Sequence, residues 1–121
     1  MPLYTISIQD CTLSPEEKSA LAAEISDFHC GMTGLDKAYA KIIFTTFAPG
    51  EGFVGGEAAA AVTLTVPIRE GRSSDDKRNM LLKLWAVLRS ATAATDAQMM
   101  VVIREVPESD AMEMGQIVPE S

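Results

Sequence analysis

From Leu3 to Ile8, apolar Tyr4, Ile6 and Ile8 alternate with smaller or polar neighbours, the period-two pattern of a strand. After a loop over 10–13 the pattern changes. Ser14-Pro15-Glu16-Glu17 sets a hydroxyl at an N-cap, proline at the first helical position and a glutamate three residues on, where it reaches back to the cap N–H. The helix predicted from here carries Leu21, Ile25, Phe28 and Met32 on one stripe, with Gly31 and Gly34 available to end it. Tyr39 to Phe47 reads as a second strand. Pro49, Gly50, Gly52, Gly55 and Gly56 then predict turns around a short extended Phe53-Val54 piece. Ala61 to Ile68 is the next strand, and the turn Arg69-Glu70-Gly71-Arg72 leads to Ser73, a hydroxyl cap followed by Asp75-Asp76 in the first helical turn. This second helix has the stripe Met80, Leu81, Leu84, Val87, Leu88 and Ala91. Met99 to Ile103 is the last long strand, and an irregular tail is expected from Pro107.

The two halves match. Ser14-Pro-Glu-Glu-Lys18 aligns with Ser73-Ser-Asp-Asp-Lys77, and Ile42-Ile43-Phe44 with Val101-Val102-Ile103, each pair 59 residues apart. The expectation is therefore an α/β (α+β) fold built as a tandem βαβ repeat, one domain over 1–121 with pseudo-repeats of about 2–56 and 57–121. Two right-handed crossover units give a four-stranded mixed sheet with both helices on one face. Ile42 to Phe44 and Val101 to Ile103 are apolar on both faces, so the other face of the sheet needs a cover and self-association is expected.

Composition narrows the chemistry. With 47% hydrophobic and 22% charged residues among 121, the chain is a globular one. Its net charge of -7 argues against nucleic acid or an anionic membrane surface as partner, while leaving room for a small anion held by a few arginines. The first residues lack a signal sequence and no apolar run is long enough to span a bilayer, so a cytoplasmic protein is expected. Cys11 and Cys30 are expected to be free thiols. One histidine and no paired-cysteine spacing make a metal site improbable, and no cofactor is expected.

Five residues invite chemistry on their own. Pro2 would become a secondary amine if Met1 were removed, a base under burial and nearby cations, an acid beside a carboxylate; the bland reading is a strand starter. Arg69 and Arg72, three apart across a glycine turn and close to a helix N-terminus, suit bidentate recognition of a carboxylate, or else pair locally with Glu70 or Asp76. His29 shares the apolar stripe of the first helix, as a structural residue or a ligand donor. Glu113 is an acidic residue among apolar ones in the tail.

Together with the Met-Pro start, His29-x-Gly31-x-Thr33-Gly34, Phe53-x-Gly55-Gly56, Arg69-Glu70-Gly71-Arg72-Ser73 and Glu105-x-Pro107 followed by Glu113-x-Gly115 resemble the tautomerase superfamily, and within it the cis-3-chloroacrylic acid dehalogenase subgroup, along essentially the whole chain. The resemblance implies a cofactor-free homotrimer. It implies that His29, Arg69 and Arg72 hold the carboxylate of a small unsaturated or 2-oxo acid, that Pro2 moves a proton at the neighbouring carbon, and that Glu113 activates water for slow hydration or dehalogenation. One position departs from the pattern: Val102 stands where the subgroup has a tyrosine that helps place the water. Tyr4 and Tyr39 are the tyrosines that could substitute, and spacing places neither hydroxyl in its stead. The alternative from another class is a non-catalytic trimeric binding protein of the same fold.

Overall fold

The computed structural model describes residues 3–117, so the expectation for Pro2 falls outside the described residues. Strand β1 (Leu3–Gln9) is followed by helix α1 (Pro15–Thr33), strand β2 (Lys41–Phe47), a small hairpin of β3 (Phe53–Val54) and β4 (Glu57–Ala58), strand β5 (Val62–Arg69), helix α2 (Ser74–Thr92), strand β6 (Met99–Val106) and a second hairpin of β7 (Met112–Glu113) and β8 (Gln116–Ile117). The main sheet has the order β2-β1-β5-β6. Both crossover pairs, β1 with β2 and β5 with β6, are parallel, and the two central strands meet antiparallel with Thr5 opposite Thr65. The expected mixed four-stranded sheet is thus present.

Both helices start as the capping residues dictate. The Ser14 hydroxyl accepts from the Glu17 amide while the Glu17 carboxylate accepts from the Ser14 amide, and Ser73 caps α2 through the Asp76 amide. Helix α1 stops at Gly34, whose φ of 75° is a conformation that glycine adopts without a Cβ penalty. One face of the sheet, carrying Tyr4, Ile6, Ile8, Val62, Leu64, Val66 and Ile68, is fully buried beneath Leu21, Ile25, Met80, Leu84 and Leu88 of the helices. The alternate positions face the other way, and there Ile43 (52% exposed) and Met100 (57%) stand uncovered.

Two elements differ from the sequence expectation. The second strand starts at Lys41 rather than Tyr39, because Asp36 accepts from the Ala38 amide and winds Lys37–Tyr39 into a 3-10 turn. The stretch after Pro107 is not irregular: Glu108–Asp110 form a 3-10 turn and the β7–β8 hairpin follows. Met114 and Gly115 close that hairpin with φ of 55° and 77°, the two consecutive left-handed residues of a two-residue hairpin loop, just as Gly55 and Gly56 close β3–β4. Phe53 and Met112 are again 59 apart, so the internal repeat reaches to the end of the described chain. The central strands are offset by 60 instead, Tyr4, Ile6 and Ile8 matching Leu64, Val66 and Ile68, because the first loop is one residue longer.

Candidate functional site

Strand polarity collects the chemistry-bearing residues at one end of the sheet. β1 starts where β5 finishes, since the two are antiparallel; β2 starts beside it, with Lys41 opposite Leu3; and β6 finishes beside Arg69, opposite Val106. Helix α1 runs back along the sheet to bring its last turns to this end, and α2 departs from it. On the open face an apolar cavity of about 560 Å³ is walled by Leu3, Pro67, Val106 and the segment 111–114. Glu113 and Lys41 are its charged members.

Glu113 is sunk in that cavity, its side chain only 7% exposed, with Oε2 accepting from Lys41 Nζ at 2.9 Å. Burial works to raise its pKa, and the positive charge around it, Lys41 included, more than offsets this, so the carboxyl titrates below its usual value and is ionised at neutral pH.

On the helix side of the same strand end, His29 is fully buried. Its Nδ1 lies 3.1 Å from the Tyr4 hydroxyl, the rings meeting edge to face at 82°. Burial, with Arg72 acting in the same direction, lowers the His29 pKa to about 4, and Glu113 pulls weakly the other way. Burial likewise pushes the Tyr4 phenol up, partly countered by Arg72. At neutral pH both groups are therefore uncharged. The phenol donates, Nδ1 accepts, and the ring proton is left on Nε2, which meets no protein acceptor among the described residues.

Of the residues singled out by the sequence, Arg72 and Glu113 thus both act electrostatically on His29. Arg72 lines a cleft between the helices with Phe28, Met32, Asp76, Asn79 and Met80. Arg69 ends β5 on the open face, where Nη2 bonds Glu108 at 2.8 Å. The local partners weighed from the sequence were Glu70 and Asp76, so Glu108, from the 3-10 turn after β6, is an addition. Val102 does not line the Glu113 cavity: it pairs with Thr65, four residues short of Val106, roughly 13 Å along the strand. Within one chain it is remote from the carboxylate.

Sequence reasoning missed Lys41 and the role of Tyr4. Lys41 is an ordinary cation at a strand start, 72 residues from its partner, and nothing in the local pattern links the two. Tyr4 reads as one more apolar residue of an alternating strand, and only the return of α1 reveals that its hydroxyl meets the one histidine.

The whole chain, residues 1–121, matches the family described as "Putative oxalocrotonate tautomerase enzyme". This chain belongs to the tautomerase family. Among solved structures, this chain is similar to the protein Ps01740, with 29% identity and a TM-score of 0.87 over 92% of this chain and 99% of the other. It is also similar to N1, a member of the cis-3-chloroacrylic acid dehalogenase family (22% identity, TM-score 0.88, covering 98% of this chain and 84% of N1). A fused 4-OT determined as a symmetric trimer matches at 24% identity and a TM-score of 0.83, over 94% of this chain and 93% of the other. The latter two likenesses are likenesses of fold. No curated protein matches this tautomerase chain.

Proposed function

We propose that this protein is an N-terminal-proline tautomerase of the cis-3-chloroacrylic acid dehalogenase kind, a homotrimer acting on small unsaturated or 2-oxo carboxylates, with enol-keto tautomerisation as its readier reaction and hydration or dehalogenation as a slower one. The observation that carries this reading is the sunken, ionised Glu113 sharing a cavity with Leu3, the residue to which Pro2 is bonded. A carboxylate there is a base for water and, if Met1 is removed, a nearby anion that favours the protonated form of the Pro2 amine.

Arg69, Arg72 and the Nε2–H of His29 hold the substrate carboxylate, the neutral imidazole serving as a donor that adds no charge. In tautomerisation, the π electrons of the enol take a proton from the Pro2 ammonium at carbon, and the neutral amine so formed takes the enol proton from oxygen, while the O–H bonding pair becomes the carbonyl π bond. In hydration, Glu113 removes a proton from water as the oxygen bonds to the carbon remote from the carboxylate. The π electrons then take a proton from the Pro2 ammonium at the neighbouring carbon. With a halogen on the hydrated carbon, the resulting halohydrin expels halide and a proton to give an aldehyde. Preorganised cations and one buried donor lower the barrier by stabilising the negative charge that builds on the acid.

Intact-mass analysis together with Pro2→Ala tests this reading. A mass lacking Met1, and enolpyruvate ketonisation that collapses in Pro2→Ala, are the expected results. A retained Met1, or undiminished turnover in the variant, refutes the proline mechanism and leaves a binding protein of the same fold.

A further inference from the structure

The Lys41–Glu113 ion pair joins the two halves of the chain at the site. Lys41 is the first residue of β2 and lies opposite Leu3 in the parallel register, so its backbone is fixed with respect to β1, the strand that follows Pro2 in sequence. Its Nζ is held by two acceptors, the Ala38 carbonyl at 3.2 Å in the preceding 3-10 turn and Glu113 Oε2 at 2.9 Å. Glu113 itself belongs to a two-residue strand that, among the described residues, pairs with β8 of its own hairpin, where it faces Gln116, and it sits directly before the left-handed Met114-Gly115 turn. Such a short hairpin has little rigidity of its own, so Lys41 supplies a tie between this tail and the main sheet.

The burial of the two partners is unequal. The Glu113 side chain is 7% exposed and that of Lys41 51%. A carboxylate that deep is costly to keep charged unless a cation and hydrogen bonds compensate it. A half-exposed lysine whose stem runs along the cavity rim supplies that compensation while keeping much of its own hydration.

We propose that Lys41 is a positioning residue: it holds Glu113 ionised and aimed for attack by water, and so sets how well this site hydrates its substrate relative to tautomerising it. The proposal rests on Glu113 being the water base. A base held within hydrogen-bond reach of its water is worth far more than one that wanders, because small misplacements of a reacting group cost large factors in rate. Tautomerisation moves its proton through Pro2 and depends less on where Glu113 points. Lys41 therefore acts on one of the two reactions, through another residue and without touching substrate.

The test compares Lys41→Met, Lys41→Arg and Glu113→Gln, measuring hydration of cis-3-chloroacrylate and ketonisation of phenylenolpyruvate. In Lys41→Met the kcat for hydration should fall about 10- to 100-fold with KM within about two-fold, and ketonisation should fall at least ten-fold less. Lys41→Arg should recover most of the loss, since a guanidinium can still donate to Glu113. A merely structural lysine would lower both reactions together, and that result overturns the proposal, as does a large rise in KM for both acids, which would mark Lys41 as a substrate contact. Hydration intact in Lys41→Met but abolished in Glu113→Gln overturns the proposal alone. Undiminished hydration in Glu113→Gln, or none in the wild type, removes the water base itself and the proposal with it.

Discussion

The Tyr4 hydroxyl meets Nδ1 of His29 at 3.1 Å in a fully buried contact between the first strand and the returning first helix. Two adjacent residues of β1 consequently serve different surroundings. Leu3 lines the open cavity of Glu113 and Lys41, whereas Tyr4 anchors the imidazole on the helix side, so neighbouring residues of one strand end serve both the carboxylate and the imidazole of the site.

Burial of His29 makes stability depend on pH. Its pKa falls from about 6.5 in the unfolded chain to about 4 in the fold, so between these values the unfolded state binds more protons. Stability is fully present above pH 6.5 and is lost as the pH drops towards 4, by at most about 3 kcal/mol from this group. Urea unfolding at pH 7 and pH 4.5 should show the loss in the wild type, and His29→Gln should have a visibly flatter dependence across that window.

Arg72 faces both His29 and Tyr4 electrostatically. If it also holds the substrate carboxylate, Arg72→Ala should raise KM for tautomerisation and hydration alike, by about 10- to 100-fold, since truncating one partner of a charged contact costs about 2 kcal/mol or more. Steady-state kinetics on both substrates decides it; a change confined to one reaction would mean that Arg72 does not bind the shared carboxylate.

Val102→Tyr probes the departure from the subgroup pattern. Because Val102 is about 13 Å along the strand from Val106, a new hydroxyl can assist water at Glu113 only by reaching the site of a neighbouring copy. The variant is expected to raise hydration kcat with little effect on KM, and only in the assembled protein. Equal kcat for variant and wild type in the trimer would exclude a positioning role for this place in the fold.

Assembly can be measured directly. Ile43 and Met100 stand on the face of the sheet turned away from the helices, and a trimer is expected to cover them. Sedimentation at micromolar concentration should give three chains per particle, and Ile43→Glu should shift the protein towards smaller species. A wild-type monomer would contradict the expected packing.

Gly52→Ala should destabilise the fold without touching the site. A Cβ at Gly52 would lie 2.5 Å from the Phe47 ring and 2.8 Å from the Ala59 carbonyl oxygen, which is itself held close because the Ala59 amide donates to the Gly52 carbonyl. The cost of such overpacking is typically about 1–3 kcal/mol, visible as a Tm lowered by several degrees with kinetics unchanged at 25 °C.

The parts of this molecule that could be read from the chain are those governed by neighbours in sequence. Ser14, Glu17 and Ser73 announce both helices, and alternation in β1 and β5 assigns the buried face. His29 could be placed on the inner stripe of α1 by spacing alone. The C-terminal hairpin escaped notice because its turn uses Met114 in a left-handed conformation, where Gly55 stands in the first half and signals itself. Lys41–Glu113, Arg69–Glu108 and Tyr4–His29 join residues 72, 39 and 25 positions apart, and no local pattern encodes such meetings. They exist because four strand ends converge.

The internal repeat gives the fold two comparable ends, which share their helix caps but not the side chains of the site. Where one end has Arg69, Arg72, His29, Lys41 and Glu113, the equivalent positions of the other half-chain hold Gln9, Leu13, Leu88, Met100 and Val54, none of them charged. The subunit is therefore polarised in these positions, although the opposite pole has charges of its own, among them Asp10, Glu16, Glu17 and the Arg89–Asp96 ion pair. Duplication of the βαβ unit thus separates two demands that a single unit would have to meet together: both copies keep the serine caps that start their helices, while only one pole carries the side chains of the site.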